Sequence, residues 1–241
     1  MRRKTTLFIL PLLLLSLSAF SQDLKLEEIL DRYFKAIGMN ALQKYSTMTL
    51  SGSIVQQDLM PVTVVKMRPD KYRMDFSVAD NPAIQAYDGK NGWWTAPWTG
   101  NPRPQPMPED RAKDLRVRAD FDGILFNWKA KGCQAELVGK DTVKNKPAFK
   151  IKLTKADGGV EYYFIDTEKF LLQKRLYYRK VRDQEMAMEN YYTDYRDAGG
   201  GVIIPYAIET RMNGQTITTT EYESVELGKP VDASIFTMPV K

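Results

Sequence analysis

Tyr87-Asp88-Gly89-Lys90-Asn91-Gly92-Trp93-Trp94, followed by Pro97, Trp98, Gly100 and then Pro102, Pro104, Pro106 and Pro108, is the stretch on which the reading of this sequence turns. Asp88-Gly89 and Asn91-Gly92 are dipeptides that supply the positive φ of tight hairpin turns. Three of the chain's four tryptophans follow at once. Prolines at every second position then bar both a helix and a sheet ladder. The stretch therefore predicts a hairpin, a large aromatic surface, and a stiff extended crossing that leads to a helix.

Working outward, period-two alternation fills the residues before it. Met48, Leu50 and Ile54 alternate with small polar residues, and Gly52 marks a bulge or a close approach. Strands follow at 61–67, at 71–78 (Tyr72, Met74, Phe76 and Val78 on one face), at 83–87 and at 93–96. Ahead of them, Leu26, Ile29, Leu30, Tyr33, Phe34 and Ile37 form the apolar stripe of a helix capped by Asp23 and stopped at Gly38. Beyond the prolines, Glu109–Trp128 reads as a second amphipathic helix with Phe121, Ile124, Leu125 and Trp128 on one face, although Gly123 weakens it. The rest returns to strands, with strong turns at Asp157-Gly158-Gly159 and Asn213-Gly214. Ten or eleven strands joined by short turns predict a mainly β (α+β) fold. A sheet that wide curls, and two amphipathic helices need a surface to cover. The expected form is a curved, partly open antiparallel β-barrel covered by those helices, with a two-sheet sandwich as the alternative.

Residues 1–21 have the basic, apolar and small-residue layout of a secretory signal, leaving 22–241 as a single exported domain. No cysteine lies near the expected cleavage point, so the mature chain is expected to carry no lipid anchor. The formal charge of +5 owes three units to Arg2, Arg3 and Lys4, and the remainder gives no reason to expect nucleic-acid binding. Cys133 is the single cysteine, read as a small core residue, and histidine is absent. Histidine-based triads and imidazole metal sites are thereby excluded. The acidic pairs Glu109/Asp110 and Asp120/Asp122 read as a helix start and as neighbours that share no helix face, so no catalytic residue, metal or cofactor is expected.

Three phrases, in this order and spacing, carry a resemblance: the hairpin from Tyr87 to Trp93, Gly201-Val202-Ile203-Ile204-Pro205 opening a strand, and the C-terminal run from Tyr222 to Gly228 and Pro230 to Pro239. With the leading helix they make the chain similar to the lipoprotein-sorting carrier family of the LolA/LolB type, whose superfamily includes RseB-like regulators. The resemblance implies an unclosed barrel with an apolar interior under a helical lid, holding lipoprotein acyl chains or another lipid. A soluble periplasmic carrier, monomeric and served by membrane-bound donor and receptor proteins, is the implied function. An envelope-stress sensor or partner-binding module on the same scaffold is the alternative, and a polysaccharide binder or uncharacterised hydrolase using the tryptophans is a third. Met48, Leu50, Ile54, Tyr72, Met74, Phe76, Trp98, Phe149, Ile151 and Leu153 are the candidate ligand-binding residues. Arg68 or Arg73 would control the lid, and Phe121, Ile124, Leu125 and Trp128 would form its apolar face. Trp93 and Trp94 divide between core and edge, whereas Trp98 lies in a loop at the rim. Leu59-Met60-Pro61 is either an exposed membrane-contacting tip or the start of a strand.

Overall fold

The computed structural model describes residues 24–78, 81–181 and 184–239; the signal segment and the expected cap Asp23 lie outside them. Helix α1 (Leu26–Ala36) begins at Lys25, whose backbone N–H donates to the Glu28 carboxylate at 2.8 Å. Gly38 takes the left-handed conformation and turns the chain into the single-turn helix α2 (Met39–Leu42).

The strands β1 (Thr47–Val55), β2 (Leu59–Met67), β3 (Lys71–Val78), β4 (Asn81–Tyr87), β5 (Gly92–Ala96) and β6 (Asn101–Pro106) form one meander. Helix α3 (Glu109–Ala119) follows. The second meander holds β7 (Gln134–Val143), β8 (Lys146–Thr154), β9 (Val160–Asp166), β10 (Leu172–Val181), β11 (Gln184–Asp197), β12 (Ile203–Met212) and β13 (Gln215–Leu227). All thirteen belong to one antiparallel sheet in which β13 pairs with β1, leaving β6 and β7 as its edges. The sheet is not closed, so α3 and the turns after it carry the chain from one edge to the other.

Two expectations change here. The proline run does join the ladder: Trp93 pairs with Pro106 and Trp94 with Gln105. In a strand successive N–H groups point to opposite edges, so prolines two apart place every missing donor on the same side. On an edge strand that side needs no partner, and the intervening residues, with Met107 N–H on Gly92 O at 2.9 Å, supply the inner side. Among the described residues the sheet has thirteen strands, where ten or eleven were expected.

The second helix is also shorter than its pattern. It ends at Ala119, and residues 121–132 form a chain of turns. Gly123 (φ 77°) and Asn127 (φ 52°) are left-handed, which no helix continues through. Phe121, Ile124, Leu125 and Trp128 therefore share no helix face. Phe121 is buried against β2 and β3, while Leu125 is buried with Ile124 and Trp128 beside it among the residues of α1 and β8. This turn segment thus bridges two cores. One, around Met48, Val64, Tyr72 and Leu115, lies under α3; the other, around Ile29, Leu30, Ile151 and Leu153, lies under α1.

The Asn91-Gly92 dipeptide predicts a turn role for Gly92, but the Asp88-Gly89-Lys90-Asn91 loop makes the turn without it. Asp88 Oδ1 accepts from the N–H groups of Lys90 (2.8 Å) and Asn91 (2.7 Å), and Gly89 alone of the two glycines has positive φ. What Gly92 supplies is room: a Cβ there would lie 3.0 Å from the Ala112 methyl of α3. The turn role read from the Asn91-Gly92 dipeptide is not the one Gly92 plays; it sits instead at a close approach between β5 and α3.

Candidate functional site

Between the concave sheet and α3 lies a lumen of about 970 Å³, at the upper end of the range for small-molecule sites. Alternation aims its apolar wall inward: Met48, Leu50 and Ile54 from β1, Val62 and Val64 from β2, Tyr72, Met74 and Phe76 from β3. Register keeps these residues side by side, with Val64 opposite Met74 and Val62 opposite Phe76. Ile204 and Ile208 of β12 and Tyr222 of β13 continue the surface.

The opposite wall is charged. Glu161 of β9, 2% exposed, accepts two hydrogen bonds from Arg175 at 2.8 Å each and one from the Tyr163 hydroxyl at 2.7 Å. Lys155 stands 3.4 Å away. Burial works to raise the Glu161 carboxyl, but the Arg175 guanidinium outweighs it and holds the group below the ordinary range. Asp114 of α3 pairs with Arg179 of β10 at 3.0 Å, and Arg118, one turn further along α3, also faces the lumen.

One end is covered by the turns that follow α3. Arg68, beyond the end of β2, donates to both carboxylate oxygens of Asp122 at 2.6 Å and to Tyr45 O at 2.8 Å, with its guanidinium 4.3 Å from the centre of the Phe121 ring. Lys66 donates to Asp120 O at 2.9 Å, and Lys131 to the Asp120 carboxylate at 2.7 Å. Burial lowers the Lys66 ammonium to about 8 against the opposing pull of Asp120 and Asp122. Asp120 and Asp122 are thus both held in ion pairs. Among the described residues no group of acids and cysteines is placed to hold a metal ion.

The remaining candidates fall elsewhere. Phe149, Ile151 and Leu153 are buried beneath α1 and do not line the lumen: the helix fills that half of the concavity. Arg73 projects to the opposite face of β3, holding Asp75 at 2.7–2.8 Å and Ile235 O at 2.7 Å, so Arg68 is the arginine that meets the covering segment. Trp93 is buried on that outer side with its indole N–H on Phe236 O at 2.7 Å. Trp98, 47% exposed, packs edge-on to Trp94 and beside Phe76 at the rim. Leu59 does begin a strand, and it is also 69% exposed, next to Val55 across the turn. Lys66 and Arg118 were not singled out from the sequence. The signal for Lys66 was a charge ending the inward series Val62, Val64. For Arg118 it was the i, i+4 spacing from Asp114.

No family model matches the chain, and no curated protein matches it. Solved structures do. A DUF1329 family protein from Desulfovibrio piger superposes with a TM-score of 0.60 at 11% identity, over 86% of this chain and 96% of that one. A LolA superfamily protein from Nitrosomonas europaea gives 0.58 at 13% identity, over 89% and 98%. The chain has the LolA-type fold. A domain from Vibrio parahaemolyticus described as outer membrane lipoprotein-sorting agrees, with a TM-score of 0.56 at 8% identity over 84% and 95%. At these identities the LolA-type likeness is one of backbone architecture, and the lumen has to be judged on its own side chains.

Proposed function

We propose that this protein is an exported lipid carrier that works in the periplasm as a single domain from residue 22 onward, without catalysis. Its cargo is the acyl chains of a lipoprotein or of another lipid, held in the lumen for passage between membrane-bound donor and receptor proteins. The observation that carries this reading is a lumen of about 970 Å³ walled on one side by Met48, Leu50, Ile54, Val62, Val64, Met74 and Phe76. Burying an alkyl chain there is worth about 0.8 kcal/mol per methylene relative to water, which offsets the apolar contact the chain gives up on leaving a bilayer. The LolA-type fold supports the reading, since a protein of that fold is described as lipoprotein-sorting. The turns latched by Arg68 are the natural cover of the loaded state. Exposed Val55 and Leu59 next to lumen-lining Gln56 and Met60 give the carrier an apolar point of contact with a membrane.

The test is native mass spectrometry and lipid extraction of the mature protein purified from the periplasm, together with release of labelled lipoprotein from membranes. Bound lipid, or lipoprotein released into solution, is expected. A lipid-free protein that releases nothing would overturn the proposal.

A further inference from the structure

The charged wall of the lumen does not balance pair by pair. Glu161 is satisfied by Arg175 and Lys155, and Asp114 by Arg179. Arg118 makes no salt bridge among the described residues, and neither does Glu185 of β11, which also lines the lumen. The Arg118 side chain is exposed, and it lines the lumen. Tyr72 on β3, by its charge and a side-chain hydrogen bond, and then Tyr177 on β10 and Asp114 on α3 raise its pKa above the ordinary arginine value against the effect of burial. A guanidinium presents a planar fork of donors that matches a carboxylate or phosphate, and an enclosed site strengthens that pairing.

Its position relative to the apolar wall completes the argument. Tyr72 is the first inward residue of β3; Met74 and Phe76 follow along the same face, flanked across the register by Val64 and Val62. An alkyl chain laid on that strip therefore begins beside the Arg118 fork. Lys66, opposite Tyr72 in the register, places a second cation at the same end.

We infer that Arg118 anchors the head of an amphiphile bearing an anionic oxygen group, a carboxylate or a phosphate, whose tail lies along Val62, Val64, Met74 and Phe76. This rests on the carrier reading and narrows its cargo from apolar chains in general to anionic lipids.

The experiment loads the delipidated mature protein with a neutral fluorescent alkyl probe. The probe is displaced with palmitate, palmitoyl lysophosphatidylglycerol or neutral hexadecanol, each below its aggregation threshold. The anionic competitors are expected to act at concentrations roughly tenfold or more below hexadecanol, as for a hydrogen bond to a charged group. Whichever of the two is stronger names the headgroup as carboxylate or phosphate. Arg118→Gln abolishes the preference while leaving probe and hexadecanol binding unchanged, which also reports that the variant is folded. Arg118→Lys keeps part of the preference, and Asp114→Asn, which removes the acid nearest in sequence on α3, increases it. Equal displacement by all three competitors, or a preference that survives Arg118→Gln, overturns the inference. If the neutral probe itself does not bind, the carrier reading falls and takes this inference with it; binding without headgroup preference removes this inference alone.

Discussion

Arg68 closes on Asp122 through two hydrogen bonds of 2.6 Å, one to each carboxylate oxygen. The same guanidinium lies over Phe121 and its Nε holds Tyr45 O, so one side chain joins the end of β2, the loop after α2 and the turns after α3. The pair is mostly shielded, with side chains 25% and 17% exposed. Asp122→Asn keeps the shape and removes the charge, which is expected to weaken the hold by roughly 1.5 to 3 kcal/mol. Because only the turns are released, amide exchange across 120–132 should accelerate while the strands of the sheet keep their protection. Unchanged exchange in that segment would show that Leu125 packing alone secures it.

Filling the lumen should separate binding from folding. Ile208 of β12 lines the lumen, two strands along the same sheet from β1. Ile208→Trp extends apolar bulk into open space, so no close-packed neighbour is displaced and no cavity is created. Affinity for a neutral alkyl probe should fall at least tenfold while the melting temperature holds or rises. A large loss of stability would mean that the space at Ile208 is already filled in solution.

These residues also show where the sequence was readable. Alternation put Met48, Leu50, Ile54, Tyr72, Met74 and Phe76 on one face, and the Asp157-Gly158-Gly159 and Asn213-Gly214 turns fell between paired strands as their chemistry demands. Phe149, Ile151 and Leu153 alternate just as cleanly, but period two says only that a face is covered. Whether α1 or a lumen covers it depends on contacts far away in sequence. Phe121, Ile124, Leu125 and Trp128 have helical spacing because a chain of turns can meet the same two cores at the same intervals. Gly123 was the local objection, and the left-handed Asn127 joins it in the structure. Arg118 was illegible for a different reason: a solvated helix face and a lumen-facing one carry the same arginine until the sheet curls round it.

Gly92 and Ala112 offer a test of the contact between β5 and α3. An added methyl at Gly92 would sit 3.0 Å from the Ala112 methyl, tighter than ordinary packing allows. Gly92→Ala is expected to cost about 1 to 3 kcal/mol by overpacking. Ala112→Gly costs about 1 kcal/mol through helix propensity. In the double variant the removed methyl makes room for the added one, so denaturant unfolding should show a loss smaller than the sum of the single losses. Strict additivity would place α3 further from the hairpin.

Lys66 gives the molecule a pH dependence whose sign is fixed by burial. Its ammonium falls from the ordinary 10.5 to about 8, with desolvation the main cause. The folded pKa is below the unfolded one, so between about pH 8 and 10.5 the unfolded chain binds more protons at this site. Stability from this residue therefore rises with pH through that window, and below it the burial cost is present in full. Lys66→Met removes the charge together with the hydrogen bond to Asp120 O. Relative to wild type, the variant should be at its most favourable near pH 7 and lose ground steadily as the pH approaches 10. Tyrosine titration occurs in both proteins and cancels in the comparison. Denaturant unfolding of the pair at several pH values measures the difference directly. A difference that stays constant across the window would mean that the Lys66 ammonium is solvated rather than enclosed in the lumen wall.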